Sequence, residues 1–171
     1  MRNLVLFGFM GTGKSLIATK LQKILNLDLW DMDRMIEQKE GKTIDRIFSE
    51  EGEEYFRELE KNMSRELSEK SDLIISTGGG VVLNERNIRN LGKNGVCFCL
   101  NASPETIFDR VKDETHRPLL QTTNPLDTIR SILESRINHY SKVQFQIDTD
   151  EKVPDEICAE ILSIFNNYNK K

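Results

Sequence analysis

The sequence has no apolar run long enough to cross a membrane. Its first hydrophobic stretch, Leu4–Phe7, is cut short by a glycine-rich segment, well below the roughly 20 residues that a spanning helix needs. A single arginine precedes that stretch, so it reads as neither a signal peptide nor an anchor, and a cytoplasmic location is expected. Cysteine is scarce as well, with three residues, an odd number: Cys97 and Cys99 alternate within "VCFCL" and Cys158 sits in a terminal amphipathic segment. That spacing suits neither a metal site nor a disulfide framework, and it points to buried thiols in a reducing compartment. Positive charge is not in excess: 24 Lys and Arg stand against 28 Asp and Glu, a net charge of -4. Nucleic acid and anionic membranes are therefore poor partners for the chain as a whole, and any basic site must be local. The two histidines, His116 and His139, lack a partner motif and read as non-catalytic. Repeats, low-complexity tracts and linkers are missing too, so the 171 residues are expected to form one domain, 1–171, working as a monomer.

Apolar runs of strand length alternate with helical patterns, as a parallel sheet with crossover helices requires. The strands are predicted at Leu4–Phe7, Leu27–Trp30, Leu73–Ser76, Val96–Leu100 and Phe145–Ile147. One helical face is read from Leu16, Ile17, Leu21, Ile24 and Leu25, a second from Phe56, Leu59, Met63 and Leu67, and a third from Val153, Ile157, Ile161, Leu162 and Phe165. The fold class is α/β, a five-stranded parallel sheet flanked by helices. Two stretches break the rhythm. "EQKEGKTIDRIFSEEGEEYF" is longer than a simple crossover and reads as a helical, substrate-facing insertion at about 33–62. "KDETHRPLLQTTNP" is polar and Pro-bounded, and reads as a mobile lid at about 112–125.

"GFMGTGKS" follows the first strand and opens a helix, and Gly8, Gly13, Lys14 and Ser15 satisfy G-x-x-x-x-G-K-[ST]. Glycines let consecutive N–H groups turn in on phosphate oxygens, and the helix N-terminus adds partial positive charge. Gly11, Thr12, Gly13, Lys14, Ser15 and Leu16 are the expected nucleotide contacts, with Lys14 reaching the β- and γ-phosphates and the Ser15 hydroxyl ligating Mg²⁺. The loop alone leaves the class open. An N-K-x-D segment, which a guanine-specific switch would carry, is missing, and "DLIISTGGG" ends its strand without the aspartate usual in ATPases.

Asp31 and Asp33, in "LWDMDR", are two apart at a strand end, so both carboxylates are expected on one face beside the loop, where a metal and a reacting hydroxyl would sit. Surface solvation or helix capping is the plain alternative for either residue alone. Gly78, Gly79 and Gly80, at the end of the third strand, let a ligand approach bare N–H groups.

Together with "DMDRMIEQKEGKTIDRIFSEEGEEYFRELE", "ISTGGGVV", "RPLL" and "IDTDEKVP", in this order and at these separations, the loop resembles that of shikimate kinases, and the resemblance covers nearly the whole chain. It implies a P-loop kinase fold and transfer of the ATP γ-phosphoryl group to the 3-hydroxyl of shikimate, with Mg²⁺, in aromatic amino-acid biosynthesis. By resemblance, Lys14, Asp33 and Arg117 are catalytic: Asp33 holds the accepting hydroxyls and is a candidate base, and Arg117 is the lid arginine that reaches the phosphates. Asp31 supports Mg²⁺ through water. Arg57 and Arg136 grip the shikimate carboxylate, Gly78, Gly79 and Gly80 supply backbone contacts, and Phe48 and Phe56 pack on the ring. Arg110 and the "IDTDEKVP" segment, closing with Pro154, lie on the adenine side. A pair of guanidinium forks suits a small ring carboxylate on physical grounds too, although Arg57 alone could equally pair with Glu53 or Glu60 on its own helix.

The chain departs from the family in two places. Asn138 and His139 stand where a Pro-Leu pair commonly precedes the tyrosine, which leaves the backbone path behind Arg136 open, and "GKSLIA" replaces the usual "GKST". The competing readings are another small-molecule P-loop kinase, for gluconate or a nucleoside monophosphate, and a nucleotide-binding regulatory module without turnover.

Overall fold

The computed structural model describes residues 1–113 and 122–169. Five strands, β1 (Asn3–Gly8), β2 (Asp28–Asp31), β3 (Leu73–Ser76), β4 (Gly95–Asn101) and β5 (Phe145–Asp148), form one parallel sheet in the order β2-β3-β1-β4-β5. Among the described residues the α-helices are α1 (Lys14–Leu25), α2 (Met32–Glu40), α3 (Ile44–Glu50), α4 (Glu53–Ser68), α5 (Glu85–Lys93), α6 (Pro104–Val111), α7 (Pro125–Tyr140) and α8 (Pro154–Asn169), with a 3-10 turn at Val81–Leu83. All five predicted strands are present, each within about a residue of its predicted ends, because each is a short apolar run bounded by turn formers.

A parallel sheet carries helices on both faces, so its central strand is apolar without a break from Leu4 to Phe7, and the period of two shows only in which core each side chain enters. Leu4 and Leu6 join Ile74, Val96, Phe98 and Leu100 under α1 and α8, while Val5 and Phe7 join Ile75, Cys97 and Cys99 on the other face. The three cysteines are buried and free, as expected. No described helix is long and apolar enough to cross a membrane.

The long segment between β2 and β3 is helical, as predicted, and folds into α2, α3 and α4. Three expected helix faces need correction. On α1, Ile17 and Leu21 are buried as expected, but Leu16 and Ile24 are 53% and 57% exposed and Ala18 is buried with the first two. Val153 lies before α8 and is exposed. On α4 the buried stripe is Phe56, Glu60, Met63 and Leu67, with Leu59 only partly covered: position 60, not 59, completes the four-three-four spacing of one helical face.

Candidate active site

Strand order reverses around β1, and in such sheets ligands bind beyond the carboxyl ends of the strands at that point. Three carboxyl ends converge there: β1 runs into the glycine loop, β2 ends at Asp31, and β3 ends just before Gly78–Gly80. A cleft of about 640 Å³ opens between them, lined by Gly11 to Leu16, Asp31, Asp33, Gly78, Gly79, Arg110 and Pro154 among others.

The phosphate loop delivers α1 with its N-terminus bare. Gly13, at its N-cap, has φ 95° and provides no side-chain cap, and that left-handed turn is cheap only for glycine. Among the described α-helices, the 3-10 turn aside, α1 alone has no acidic residue in its first turn. Its unsatisfied N–H groups and dipole therefore face the cleft without a built-in anion, which is the arrangement an incoming phosphate needs. Lys14 arches over the loop, its Nζ donating to the carbonyls of Gly8 (2.7 Å) and Phe9 (2.8 Å).

Asp31 and Asp33 do reach one cleft, but not as neighbours on a strand face. Asp31 ends β2 and caps α2, accepting from the Arg34 N–H at 3.1 Å, whereas Asp33 sits in the first turn of that helix. The expectation of two carboxylates leaving one strand face is corrected: the capping preference of Asp starts a helix at residue 32. Burial first, and the Asp31 charge second, push the Asp33 carboxyl up to about 6, with Lys14 pulling the other way. Its Oδ1 is buried and makes no hydrogen bond among the described residues. An acceptor hydroxyl could supply the missing donor.

The glycines after β3 are there for contact. A Cβ on Gly78 would lie 2.5 Å from Asp33 Oδ1, and one on Gly80 would lie 2.3 Å from Arg57 Nη1. Any side chain at either position would expel the group that rests against it. The N–H groups of Gly79 and Gly80 take no partner among the described residues.

Arg57 pairs with Glu53 at 2.9 Å and with Glu60 at 2.8 Å, so the ordinary pairing read from the sequence is present together with the placement against Gly80. Glu60 is only 1% exposed, and burial pushes its carboxyl up to about 7 against the pull of the Arg57 guanidinium, with Asp33 adding to the rise and Arg136 opposing it. Arg136 lies with its guanidinium carbon 5.9 Å from the centroid of Phe9 in the phosphate loop. Phe56 is buried, its ring 4.8 Å from that of half-exposed Phe48 and beneath Arg57. Arg110 is braced by hydrogen bonds to Gly11 and Thr149. Helix α7 runs unbroken through Asn138 and His139, so the missing proline leaves a regular helix behind Arg136. Arg117 and His116 lie outside the described residues.

Two residues of this neighbourhood were given no site role in the sequence reading: Glu60, which it offered only as an ordinary partner of Arg57, and Tyr140, whose hydroxyl donates to the Gly79 carbonyl at 2.7 Å; Lys152 of the "IDTDEKVP" segment lines the cleft. Glu60 had a usable signal, a carboxylate on the apolar stripe of α4. Tyr140 had only its spacing of four from Arg136.

A parallel sheet whose first strand feeds a glycine phosphate loop and a bare helix N-terminus, with carboxylate and guanidinium groups facing it, defines a phosphoryl-transferring P-loop enzyme. The family model for shikimate kinase matches residues 10–166, and the chain belongs to that family. It is 44% identical to the shikimate kinase of Thermodesulfovibrio yellowstonii over 99% of this chain and 98% of that one, and 43% identical to that of Caldicellulosiruptor saccharolyticus over 96% and 95%. Its structure is similar to shikimate kinase from Acinetobacter baumannii in complex with shikimate, with a TM-score of 0.90 at 31% identity over 100% of this chain and 96% of that one.

Proposed function

We infer that the chain transfers the γ-phosphoryl group of ATP to the 3-hydroxyl of shikimate, giving shikimate 3-phosphate and ADP, in the biosynthesis of aromatic amino acids. The observation that carries this reading is kinship over the full length at above 40% identity, covering the acceptor-facing helices as well as the phosphate loop that other small kinases share.

Within that reaction the residues divide by chemistry. The α1 N-terminus, Lys14 and the loop amides hold the β- and γ-phosphates, and Arg110 and Pro154 flank the base. Asp33, with its raised pKa and unpartnered oxygen, holds the accepting hydroxyl and takes its proton as transfer proceeds. Arg57 and Arg136 anchor the carboxylate from α4 and α7, the free amides of Gly79 and Gly80 complete the acceptor side, and Phe48 and Phe56 support the ring. Arg117 supplies lid charge to the phosphates. The donors present fit Mg²⁺: the Ser15 hydroxyl and the Asp31 carboxylate are hard oxygens lining one cleft, and no described cluster of three or more acidic, His or Cys groups competes as a cage. Such a site suits an ion that keeps water and phosphate ligands, and when bound it would neutralise phosphate charge. The enzyme works as a cytoplasmic monomer.

A coupled ADP-release assay over shikimate, gluconate and nucleoside monophosphates tests the reading. Turnover confined to shikimate is expected; turnover of another acceptor, or of none, would overturn it.

A further inference from the structure

The carbonyl of Gly79 is held by one hydrogen bond, from the hydroxyl of Tyr140 at 2.7 Å. Tyr140 closes α7, is 6% exposed, and belongs to the core beneath the sheet. Burial pushes its phenol well above the usual range, with the Arg136 guanidinium beside it acting in the opposite sense. The group is therefore a proton donor at every working pH, and its single proton is committed to Gly79.

Two consequences follow from peptide geometry. The Gly79–Gly80 bond is trans, as are all described bonds, so its C=O and N–H point in opposite directions. A carbonyl fastened to α7 turns the Gly80 N–H away from α7, and that N–H has no partner among the described residues. Two adjoining glycines have little resistance to rotation of the peptide between them, and without the tether nothing in their own side chains would set its plane. A turned peptide would offer its oxygen, not its N–H, to an anionic acceptor. The second consequence concerns Arg136, one helical turn before Tyr140. With its proton given to Gly79, the phenol oxygen has only lone pairs left to face the guanidinium, which is a donor in every direction.

We propose that Tyr140 is a positioning residue that sets the Gly79–Gly80 peptide and the Arg136 fork in a single orientation, joining two acceptor contacts that come from separate elements. This rests on the shikimate reading above. Tyr140 touches neither nucleotide nor acceptor; it acts through the groups it holds.

Tyr140→Phe removes one oxygen and keeps the ring that fills the core, so folding survives. The expected result is a rise of about tenfold in the KM for shikimate, the scale of one hydrogen bond to a charged or committed group, with the KM for ATP unchanged and kcat within about threefold. Combined with Arg136→Lys, the losses should be less than multiplicative, because both changes spoil one anchor. A crystal structure of the variant reads the 79–80 peptide plane directly and should show it rotated or in two orientations. An unchanged shikimate KM overturns the proposal, as does an equal rise in both KM values with a lowered melting temperature, which would mark a purely structural tyrosine. Wild-type turnover of shikimate is measured in the same assay, so a wild type inactive on shikimate sinks the functional reading, and an active wild type with an indifferent Tyr140→Phe sinks only this one.

Discussion

Gly80→Ala tests the proposed acceptor anchor at Arg57. Gly80 has φ -92° and ψ -7°, a conformation open to alanine, so the backbone meets no torsional strain. The new methyl would instead lie 2.3 Å from Arg57 Nη1 and 2.8 Å from both Cζ and Nη2, where non-bonded atoms need about 3.5 Å. The guanidinium must retreat by about 1 Å or more, the difference between those separations. It can do so cheaply, because it is the end of a flexible chain whose side chain is 24% exposed and one of whose carboxylates, Glu53, is itself at the surface. The fold should therefore be kept, and the damage should fall on any carboxylate that Arg57 holds. Losing charge-assisted hydrogen bonds costs about 1.5–3 kcal/mol, or roughly 10- to 150-fold in acceptor affinity. Steady-state kinetics with varied shikimate and varied ATP, together with a melting curve, provide the assay. The KM for shikimate should rise by that factor, the KM for ATP should hold, and Arg57→Ala added to Gly80→Ala should cost little more. A folded Gly80→Ala enzyme with a wild-type shikimate KM would refute the assignment of Arg57 to the acceptor.

Lys14→Met removes the ammonium above the phosphate loop, and turnover should collapse while circular dichroism stays native; wild-type turnover in the folded variant would end the phosphate-loop reading. Asp33→Asn should lower kcat by about 10²–10⁴ if proton transfer matters, and a loss below tenfold would leave Asp33 as a positioning group. Ligand-free protein should become less stable as pH rises from about 4 to about 7, and the slope should shrink in Glu60→Gln; denaturant melts that are flat or rising over this range would contradict the burial of both carboxyls.

The strands were legible because an all-parallel sheet writes itself as short, uninterrupted apolar runs, and Leu73–Ser76 matches its predicted bounds residue for residue. The phosphate loop was legible because its glycines and lysine answer to local geometry. Side-chain direction on helices was less so. Leu59 was preferred to Glu60 on α4 because apolar character is the visible signal of burial, yet the ion pair with Arg57 lets a carboxylate occupy that face. Asp31 and Asp33 were placed on one strand because two-residue spacing means one face in a strand; Asp31 caps a helix that begins at the next residue, and only the tertiary path brings Asp33 back to the cleft. Tyr140 and Gly79 are 61 positions apart, and no local pattern encodes such a pairing.

The charges around the acceptor side account for the pH dependence and for its sign. Asp33 and Glu60 are both carboxyls that folding moves upward, to about 6 and about 7, with burial the largest cause in each. A carboxyl whose pKa is raised on folding binds more protons in the native state than in the unfolded one between the two values. Stability therefore falls as pH rises through that window, from about 4 to about 7, and is level above it. Each group can take away about 3 kcal/mol at most, at about 1.4 kcal/mol per unit. The exposed carboxylates Glu50, Asp72 and Glu85 are shifted down by their partners, and Glu105 is shifted down by its own backbone N–H and then by Arg130. Their contribution is lost only below the ordinary carboxylate range, so it does not mask the decline. In the ligand-free protein the cations Arg57, Arg136 and Lys14 only partly offset two buried negative charges. A carboxylate acceptor would draw on Arg57 and Arg136 and leave Glu60 less well paired, whereas a hydroxyl placed on Asp33 would satisfy its unpartnered oxygen. Shikimate should accordingly stabilise the protein more than a simple carboxylic acid of the same charge and size, and thermal shifts with shikimate and with cyclohexanecarboxylate compare the two. Equal shifts would mean that only the arginines read the acceptor and that Asp33 has no hydroxyl to hold.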